Sequence, residues 1–298
     1  MSAQTHTPNA YLALILTFSL WGSLYVVSYF VLGKLPAFTI SFIRFTLAWL
    51  MLSVLTPKEQ TRLKKKDFPY ILLLGAVGYF LAVGAQLLGT KIAGSAMTSL
   101  INSLNPVTMT LFGALLFHEK LTRKKLLGIC LALVGVYCIL GFNARTAGIT
   151  GILLSLFAVV VWSFVSVISK RVTGKYHALY VTRLGTGIAA LCYLPVSIVE
   201  ITKGHGEALH ILVTDIPCIL ALLYMGFLCT GLAYQLWNYS LTQLDASTCS
   251  SFYPIQPMIS TFLGILCFHE VITRSFVIGS LLIIAGVLLS LSGQRKYC

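Results

Sequence analysis

Residues 105–122 of the chain read NPVTMTLFGALLFHEKLT, and residues 254–273 read PIQPMISTFLGILCFHEVIT. The tripeptide Phe-His-Glu recurs at an offset of 151 positions (268 − 117 = 151). Other residues recur in the same order, at this offset or a slightly shorter one: Pro106 with Pro257, Gly128 with Gly279, Gly135 with Gly286, Gln86 with Gln235, Arg44 with Arg183, and Trp21 with Trp162. An ordered series at a long period indicates an internal duplication.

Hydrophobic residues make up 57% of the 298 residues and charged residues only 10%, against roughly a quarter charged in a soluble domain. Lipid must therefore be the main solvent of this chain. A membrane-spanning helix needs about 20 apolar residues, and ten stretches approach that length: about 10–32, 37–55, 68–90, 95–117, 124–142, 148–169, 177–198, 215–239, 246–268 and 275–293. The first is too long for a signal-peptide core. We predict an all-α integral membrane protein with ten transmembrane helices.

The basic residues are distributed unevenly between the two sides of this predicted bundle. With the N-terminus in the cytoplasm, the inner loops and the C-terminal tail carry fourteen Lys and Arg residues and the outer loops carry five. This asymmetry follows the positive-inside rule and predicts a multi-pass protein of the cytoplasmic membrane with both termini inside. It also explains the net charge of +13 without a nucleic-acid partner, because a DNA-binding protein gathers its basic residues on one exposed face.

The two copies are expected to have opposite orientations, because each contains five predicted helices. Residues 120–125 contain four basic residues, whereas residues 271–276 retain only Arg274. This loss fits a loop that has moved to the outer side of the membrane. We predict a first repeat over residues 1–146 and a second, inverted repeat over residues 147–298. Inverted repeats of this kind are typical of secondary transporters.

The repeat-end pattern, the glycines after it, two tryptophans and two arginines together carry a resemblance that covers essentially the whole chain. They resemble the drug/metabolite transporter (DMT) superfamily, specifically its ten-helix EamA-type members with two EamA repeats. The resemblance implies a bundle around a central cavity, lined by predicted helices one, three, four, six, eight and nine. It also implies export of amino acids or related metabolites across the cytoplasmic membrane.

Polar and aromatic side chains recur at helical spacing in those helices. A polar group in a bilayer needs a partner or a water-filled cavity. We therefore predict that ten of these residues bind substrate: Trp21, Tyr25, Tyr79, Gln86, Asn102, Trp162, Ser166, Gln235, Asn238 and Tyr253. Hydrogen bonding between helices is the alternative role for the same residues.

Three prolines, Pro106, Pro254 and Pro257, lie inside apolar stretches. A proline within a helix removes a backbone donor and leaves carbonyl groups free. We interpret these residues as hinges or kinks, and the freed carbonyls as alternative ligands for a substrate.

Four charged residues lie in or at the ends of predicted helices. Arg44 and Arg183 each lie roughly 10 Å inside a helix, at 1.5 Å per residue. Either could neutralise a substrate carboxylate, but such arginines more often extend to lipid headgroups or cap carbonyls. Glu119 and Glu270 each precede a helix whose N-terminal dipole favours a carboxylate. We interpret all four as structural charges.

All eight acidic residues map to loops or to predicted helix ends. Without a carboxylate at mid-membrane depth, a carboxylate-based proton or sodium relay is disfavoured, and facilitated diffusion or exchange is favoured. His118 and His269 remain as candidate proton carriers because imidazole titrates near neutrality. The eight cysteines are scattered without metal-ligand spacing. No metal and no other cofactor is predicted.

The sequence thus predicts a transporter, and not an enzyme, that exports a small neutral or zwitterionic metabolite by alternating access. Phosphorylated solutes would require converging Lys or Arg residues. A membrane-embedded lipid-modifying enzyme would need one catalytic cluster, whereas the two His-Glu dipeptides are predicted on opposite sides. A channel would need a charged ring or a filter loop. The expected partners are a small-molecule substrate and membrane lipids; the sequence sets no oligomeric state, and a monomer is compatible with it.

Overall fold

The residues that the structure describes form helices joined by short turns. The computed structural model describes residues 8–57, 63–117, 148–203, 207–244, 249–250, 252–253, 255–268 and 274–292, and, between 123 and 138, residues 123–124, 126–128, 130–132, 134–135 and 138. No strand occurs within these ranges.

Eleven helices are defined by these residues, in chain order. The first repeat contains α1 (Pro8–Leu32), α2 (Ala37–Leu55), α3 (Lys65–Ala93), α4 (segments Ser95–Asn102 and Asn105–Phe117) and α5 (the described residues between 123 and 138). The second contains α6 (Ile149–Thr173), α7 (Ala178–Lys203), the short α8 (Glu207–Thr214), α9 (Ile216–Gln243), α10 (Ile255–Phe268) and α11 (Arg274–Ser292).

Seven of the described helices are long and apolar enough to cross a membrane: α1, α2, α3, α4, α6, α7 and α9. Two shorter apolar stretches lie in α10 and α11. Large apolar side chains also point away from the protein, as in Val54 (85% exposed) and Leu191 (70% exposed). Such side chains would be costly in water, and a bilayer solvates them instead. The chain is a multi-pass membrane protein; the count of ten spans stays a prediction.

The predicted helix positions agree closely with the described helices, and they differ in two places. The predicted loop 199–214 contains the short helix α8. The ninth predicted span, about 246–268, is not one continuous helix: residues 249–250 are helical, a turn follows at residues 252–253, and α10 begins at Ile255. Apolar composition does not reveal such a turn, because the residues around it are as hydrophobic as the helix itself.

Two helices contain a π-helical segment in equivalent positions. In α3 it covers Leu73–Ala82, and in α9 it covers Tyr224–Leu232. The two segments begin 151 positions apart (224 − 73 = 151), which is the offset of the sequence repeat. Glycines in both segments allow close packing: Gly75 lies against Ile188 of α7, and Gly226 lies against Leu47 of α2. π-helical geometry is rare and often marks functional positions.

The helices form two bundles, and each combines helices of both repeats. In the first bundle, α1 packs on α9 and α10, and α2 packs on α9. In the second bundle, α6 packs on α3 and α4, and α7 packs on α3. Extensive packing of α2 along α7 joins the two bundles. The contacts of one bundle are therefore repeated in the other by the corresponding helices.

A close crossing of α5 and α11 shows the same reciprocity. A Cβ atom on Gly135 would lie 2.7 Å from the carbonyl oxygen of Gly279, and one on Gly286 would lie 2.5 Å from that of Gly128. Gly128 and Gly279 are repeat counterparts, and so are Gly135 and Gly286. The two helices α5 and α11, which the duplication relates to each other, therefore meet through equivalent backbone positions.

Candidate functional site

A small cavity lies between the two bundles. Its volume is about 40 Å³, which is enough for a few water molecules and too small for a metabolite. Its wall is formed by residues of both bundles: Trp21, Leu24, Tyr25, Ser28, Arg44, Val83, Gln86, Leu87, Thr90, Asn102, Trp162, Tyr234, Tyr253 and Gln256. The space between the bundles is thus narrow in this structure, and we call this arrangement the closed form.

Aromatic rings form one boundary of the cavity. Tyr79 and Tyr234 stack with their ring centroids 4.6 Å apart, and Trp21 meets Tyr234 at 5.3 Å. Trp21 and Trp162, which are repeat counterparts, meet edge to face at 6.0 Å. We call these four residues the aromatic layer. Rings packed in this way give an apolar, shape-adaptable surface, and each contact contributes about 0.5–1.5 kcal/mol beyond its buried area.

Hydrogen bonds between side chains connect the two bundles around the cavity. Asn102 Nδ2 donates to Gln256 Oε1 at 2.8 Å, and Trp162 Nε1 donates to the Tyr253 hydroxyl at 2.7 Å. The amide of Gln86 donates to the hydroxyl of Tyr25. Every one of these bonds joins a residue of the first bundle to a residue of the second, so separation of the bundles would break them.

A second group of cross-bundle bonds lies beyond the aromatic layer. Asn238 Nδ2 donates to Thr182 Oγ1 at 2.7 Å and to the Tyr79 hydroxyl at 3.2 Å. Thr182 Oγ1 also lies 3.4 Å from Gln235 Oε1. Helices α3 and α7 run in the same direction, because Gly75 lies against Ile188 and Gly84 against Tyr193. Thr182 lies near the start of α7, whereas Gln86 and Thr90 lie near the end of α3, so this group and these cavity residues lie on opposite sides of the layer.

The π-helical segments present backbone carbonyls to side chains of neighbouring helices. The Tyr193 hydroxyl donates to the carbonyl oxygen of Phe80 at 2.7 Å, and Trp21 Nε1 donates to that of Cys229 at 3.1 Å. A regular α-helix would use these carbonyls in its own hydrogen-bond ladder. The irregular segment of α9 therefore holds Trp21 in the cavity wall, and that of α3 holds Tyr193 outside the wall.

Arg44 is the charged residue in the cavity wall. Its side chain is 1% exposed, and its Nε donates to Thr230 Oγ1 at 2.8 Å. Thr230 in turn donates to the carbonyl oxygen of Met225, five positions earlier in the π-helical segment of α9, at 2.7 Å. Arg183, its repeat counterpart, is only partly buried and lies over the ring of Tyr180, 5.2 Å from the centroid. The two arginines thus have different environments.

Two ion pairs connect helices within the bundles at opposite ends. Lys34 Nζ lies 2.5 Å from Asp215 Oδ2 in the first bundle, and Lys175 Nζ lies 2.9 Å from Asp67 Oδ1 in the second. The Lys34 ammonium and the Cys218 N–H, which donates to Asp215 Oδ1, lower the pKa of the Asp215 carboxyl. The Asp67 carboxylate raises the pKa of Lys175. Each pair links an interhelical loop to the start of a neighbouring helix.

Pro106 lies at a break in α4, and the carbonyl that it frees is already bonded. The helix stops at Asn102 and resumes at Asn105, so Pro106 stands in the first turn of the second segment, where its missing donor costs little. Asn105 Nδ2 donates to the carbonyl oxygen of Asn102 at 2.7 Å. A protein amide occupies the position that the sequence suggested for a substrate. Pro257 likewise lies in the first turn of α10.

The comparison of the sequence with known families agrees with this architecture. It matches the EamA-like transporter family twice, over residues 8–141 and 149–292. The chain belongs to the EamA-like transporter family. An uncharacterised transporter of Archaeoglobus fulgidus is 25% identical to it over 93% of this chain and 96% of its own length.

Two relatives of this EamA-like transporter carry more specific names. A probable amino-acid metabolite efflux pump of Escherichia coli strain K12 is 25% identical over 67% of this chain and 69% of its own length. One of the same name from Salmonella typhimurium is 28% identical over 63% and 64%. A solved crystal structure is similar at a TM-score of 0.65 and 21% identity, and covers 96% of this chain and 98% of its own. That structure shows a shared fold.

The structure brings six of the ten predicted substrate-binding residues of this EamA-like transporter together in the cavity wall: Trp21, Tyr25, Gln86, Asn102, Trp162 and Tyr253. The other four lie elsewhere. Tyr79 is buried in the aromatic layer, and Ser166 is buried in α6 away from the wall. Gln235 and Asn238 belong to the second group of cross-bundle bonds. The role of all ten in binding stays a prediction.

Five predicted functional residues, Glu119, Glu270, Pro254, His118 and His269, lie outside the described residues.

Eight of the fourteen wall residues were not selected from the sequence as binding residues, among them Tyr234, Gln256 and Arg44. Tyr234 adjoins the predicted Gln235, and Gln256 is the repeat counterpart of Asn105, next to the paired prolines. These positions relative to the repeat could have identified Tyr234 and Gln256 from the sequence. Arg44 was interpreted as a structural charge, and the structure places it in the cavity wall of this EamA-like transporter.

Proposed function

We propose that this chain exports a small metabolite related to amino acids by alternating access. In this proposal ten membrane helices form two inverted five-helix repeats, divided near residues 146 and 147, with both termini in the cytoplasm. The named function of the efflux-pump relatives supports the direction and the class of solute.

The observation that carries the proposal is the placement of the cavity between two bundles joined by side-chain hydrogen bonds. Each bundle is held internally by extensive packing and by one ion pair. Between them, Asn102 bonds Gln256 and Trp162 bonds Tyr253 on one side of the aromatic layer, and Asn238 bonds Thr182 on the other. The packing of α2 along α7 would be the fixed edge about which the two bundles move. Two bodies that share one packed edge, with a separable polar contact on each side of a binding space, are suited to alternating access.

The reciprocal contacts support the inverted arrangement. If a pseudo-two-fold axis relates the repeats, every contact between unlike helices should occur twice. The packing of α1 on α10 has a counterpart in that of α6 on α4, and the glycine contacts of α5 and α11 also occur twice. Residues close to the axis should meet their own counterparts, as Trp21 and Trp162 do.

The proposal is tested by solute counterflow into proteoliposomes with a panel of amino acids and their derivatives, together with a comparison of extracellular metabolites between cells that overexpress the protein and cells that lack it. We expect at least one solute of the panel to exchange. If no solute exchanges and none shifts the melting temperature of the purified protein, the proposal is wrong.

A matched pair of variants ties the exchange to the cavity. Ser28 is 2% exposed and lines the cavity, whereas Leu16 in the same helix is 46% exposed and faces away from the protein core. We expect Ser28→Phe to fill the cavity and block exchange, and Leu16→Phe to leave it unchanged. Equal exchange by both variants, at equal amounts of folded protein, would place the solute path elsewhere.

A further inference from the structure

The positive charge of Arg44 in the cavity wall indicates which kind of solute the cavity could bind. A guanidinium stays protonated at every physiological pH. In this structure Arg44 Nη2 is fully buried and has no hydrogen-bond partner among the described residues, while Nε is held by Thr230. A fixed positive charge thus stands in the wall of the cavity with part of its hydrogen-bonding capacity unused.

No described carboxylate neutralises this charge. The acidic side chains that the structure describes are Asp67, Glu200 and Asp215, and all three are bound elsewhere. Asp67 pairs with Lys175, Asp215 pairs with Lys34, and Glu200 accepts from the backbone N–H groups of Phe38 and Thr39.

The titratable groups that interact electrostatically with Arg44 are three phenols and a thiol: Tyr25, Tyr193, Tyr234 and Cys229. Such groups are uncharged near pH 7. The ring of Phe45, 5.4 Å from the guanidinium carbon, adds a weak cation–π contact. Because a buried charge is costly unless it is paired, an anionic group of the solute would complete this site.

We infer that Arg44 binds the carboxylate of the transported solute, and that this solute is a small organic monoanion with an apolar body and no free ammonium group. The inference rests on the proposed function. A monoanion leaves the closed cavity neutral, whereas a zwitterion adds an ammonium for which the described wall offers no carboxylate. Arginine presents paired N–H groups that match a carboxylate, and the aromatic layer suits an apolar body. This narrows the neutral or zwitterionic solute that the sequence predicts.

Thr230 is the positioning residue for Arg44. Its hydroxyl accepts from Arg44 Nε and donates to the Met225 carbonyl, so it orients the guanidinium from the π-helical segment of α9. Thr230→Val retains the volume and removes both bonds. We expect it to weaken the binding of anions less than loss of the charge does, and to leave the binding of uncharged analogues unchanged.

Four probes with one aromatic body and different charges test the inference: N-acetyl-L-phenylalanine (anion), L-phenylalanine (zwitterion), N-acetyl-L-phenylalanine amide (neutral) and L-phenylalanine amide (cation). Binding is measured by quenching of tryptophan fluorescence, because Trp21 and Trp162 line the cavity, and transport by counterflow. We expect the anion to bind the wild-type protein about tenfold or more tightly than the other three, the gain expected from one charged hydrogen-bonded pair.

Variants at Arg44 and Arg183 separate the site charge from the general charge of the protein. Arg44→Gln is expected to lose about tenfold to a hundredfold in affinity for the anion and to retain its affinity for the neutral amide. Arg183→Gln, the matched control, should behave as the wild type. Arg44→Lys keeps the charge, should retain part of the preference, and keeps the test decisive if Arg44→Gln does not fold.

Each outcome distinguishes the inference from the proposed function. If the anion binds best through Arg44 but neither a probe nor any solute of the panel exchanges, the carrier proposal fails and the anion site stands. If probes cross without a preference for the anion, or if Arg44→Gln preserves that preference, the inference is wrong and the carrier stands. If no probe binds, the inference is also wrong.

Discussion

Asn102 and Gln256 are joined by a hydrogen bond of 2.8 Å that runs from α4 of the second bundle to α10 of the first. Asn102 has a further bond within its own helix, because its Oδ1 accepts from Asn105 Nδ2 at 2.7 Å. Asn105 in turn accepts from Ser163 Oγ at 2.8 Å. The second bundle therefore holds the Asn102 amide in place, and Gln256 is the partner that separation of the bundles would remove.

Gln256→Leu should destabilise the closed form. It leaves the buried Asn102 Nδ2 without an acceptor, at an expected cost of about 1–3 kcal/mol in the free energy of unfolding. Asn102→Leu should cost more because it also removes the bond to Asn105, and the double variant should cost less than the sum of the two. Thermal unfolding of the purified proteins measures all three; strictly additive effects would contradict a direct interaction.

Tyr79 and Tyr234 offer a matched pair of hydroxyl deletions, since their rings stack on each other at 4.6 Å. Only the Tyr79 hydroxyl accepts a hydrogen bond from Asn238 among the described residues. Tyr79→Phe should therefore reduce the free energy of unfolding by about 0.5–1.5 kcal/mol, whereas Tyr234→Phe should leave it nearly unchanged. The measurement is the melting temperature in detergent. Equal losses would show that ring packing, and not this hydroxyl, accounts for the effect.

Most of the helix positions could be predicted from the sequence, because a bilayer requires apolar stretches of a fixed length. The duplication also located the paired tryptophans and prolines. Helical spacing identifies which residues share a face, but it does not give the rotation of that face relative to neighbouring helices. For this reason Tyr79 and Asn238 were indistinguishable from the wall residues Tyr25 and Gln86.

Arg44 shows a second reason why the site could not be fully predicted. Its depth in α2 follows from the sequence, at 1.5 Å per residue. Its direction depends on Thr230 in a π-helical segment of the other repeat, a contact between residues 186 positions apart. The π-helical segments themselves have no signal in apolar periodicity, since they arise where α3 and α9 pack closely on α7 and α2.

Lowering the pH should weaken the Lys34–Asp215 ion pair and reduce its contribution to stability. The pKa of Asp215 is lowered in the folded protein, mainly by Lys34. Its contribution to stability is therefore complete above the unfolded value of about 3.9 and is lost as the pH falls through the lowered folded pKa. Asp215→Asn keeps a side chain that can cap α9 and removes the charge. Its melting temperature should fall less steeply than that of the wild type as the pH decreases below about 4.

The control for this pH effect is Lys34→Met, which removes the other partner of the same pair. Its acid dependence should lie between those of the wild type and Asp215→Asn, because the Cys218 N–H still lowers the pKa of Asp215. Adding Lys34→Met to Asp215→Asn should cause no further change. A wild-type slope in either single variant would mean that the pair does not contribute to the acid dependence.

The crossing of α5 and α11 should not tolerate a single methyl group. A Cβ at Gly286 would lie 2.5 Å from the Gly128 carbonyl oxygen and 2.6 Å from the Ala132 nitrogen, and backbone atoms cannot move aside as a flexible side chain does. Gly286→Ala, and Gly135→Ala at the counterpart position, should each cost about 1–3 kcal/mol in the free energy of unfolding through overpacking. Gly174→Ala is the control, because its Cβ would lie 3.6 Å from the nearest atom, the Lys170 carbonyl oxygen, at an ordinary φ of −79°. In thermal unfolding, Gly286→Ala and Gly135→Ala should both melt at a lower temperature than Gly174→Ala. Equal melting temperatures for all three variants would contradict the close crossing.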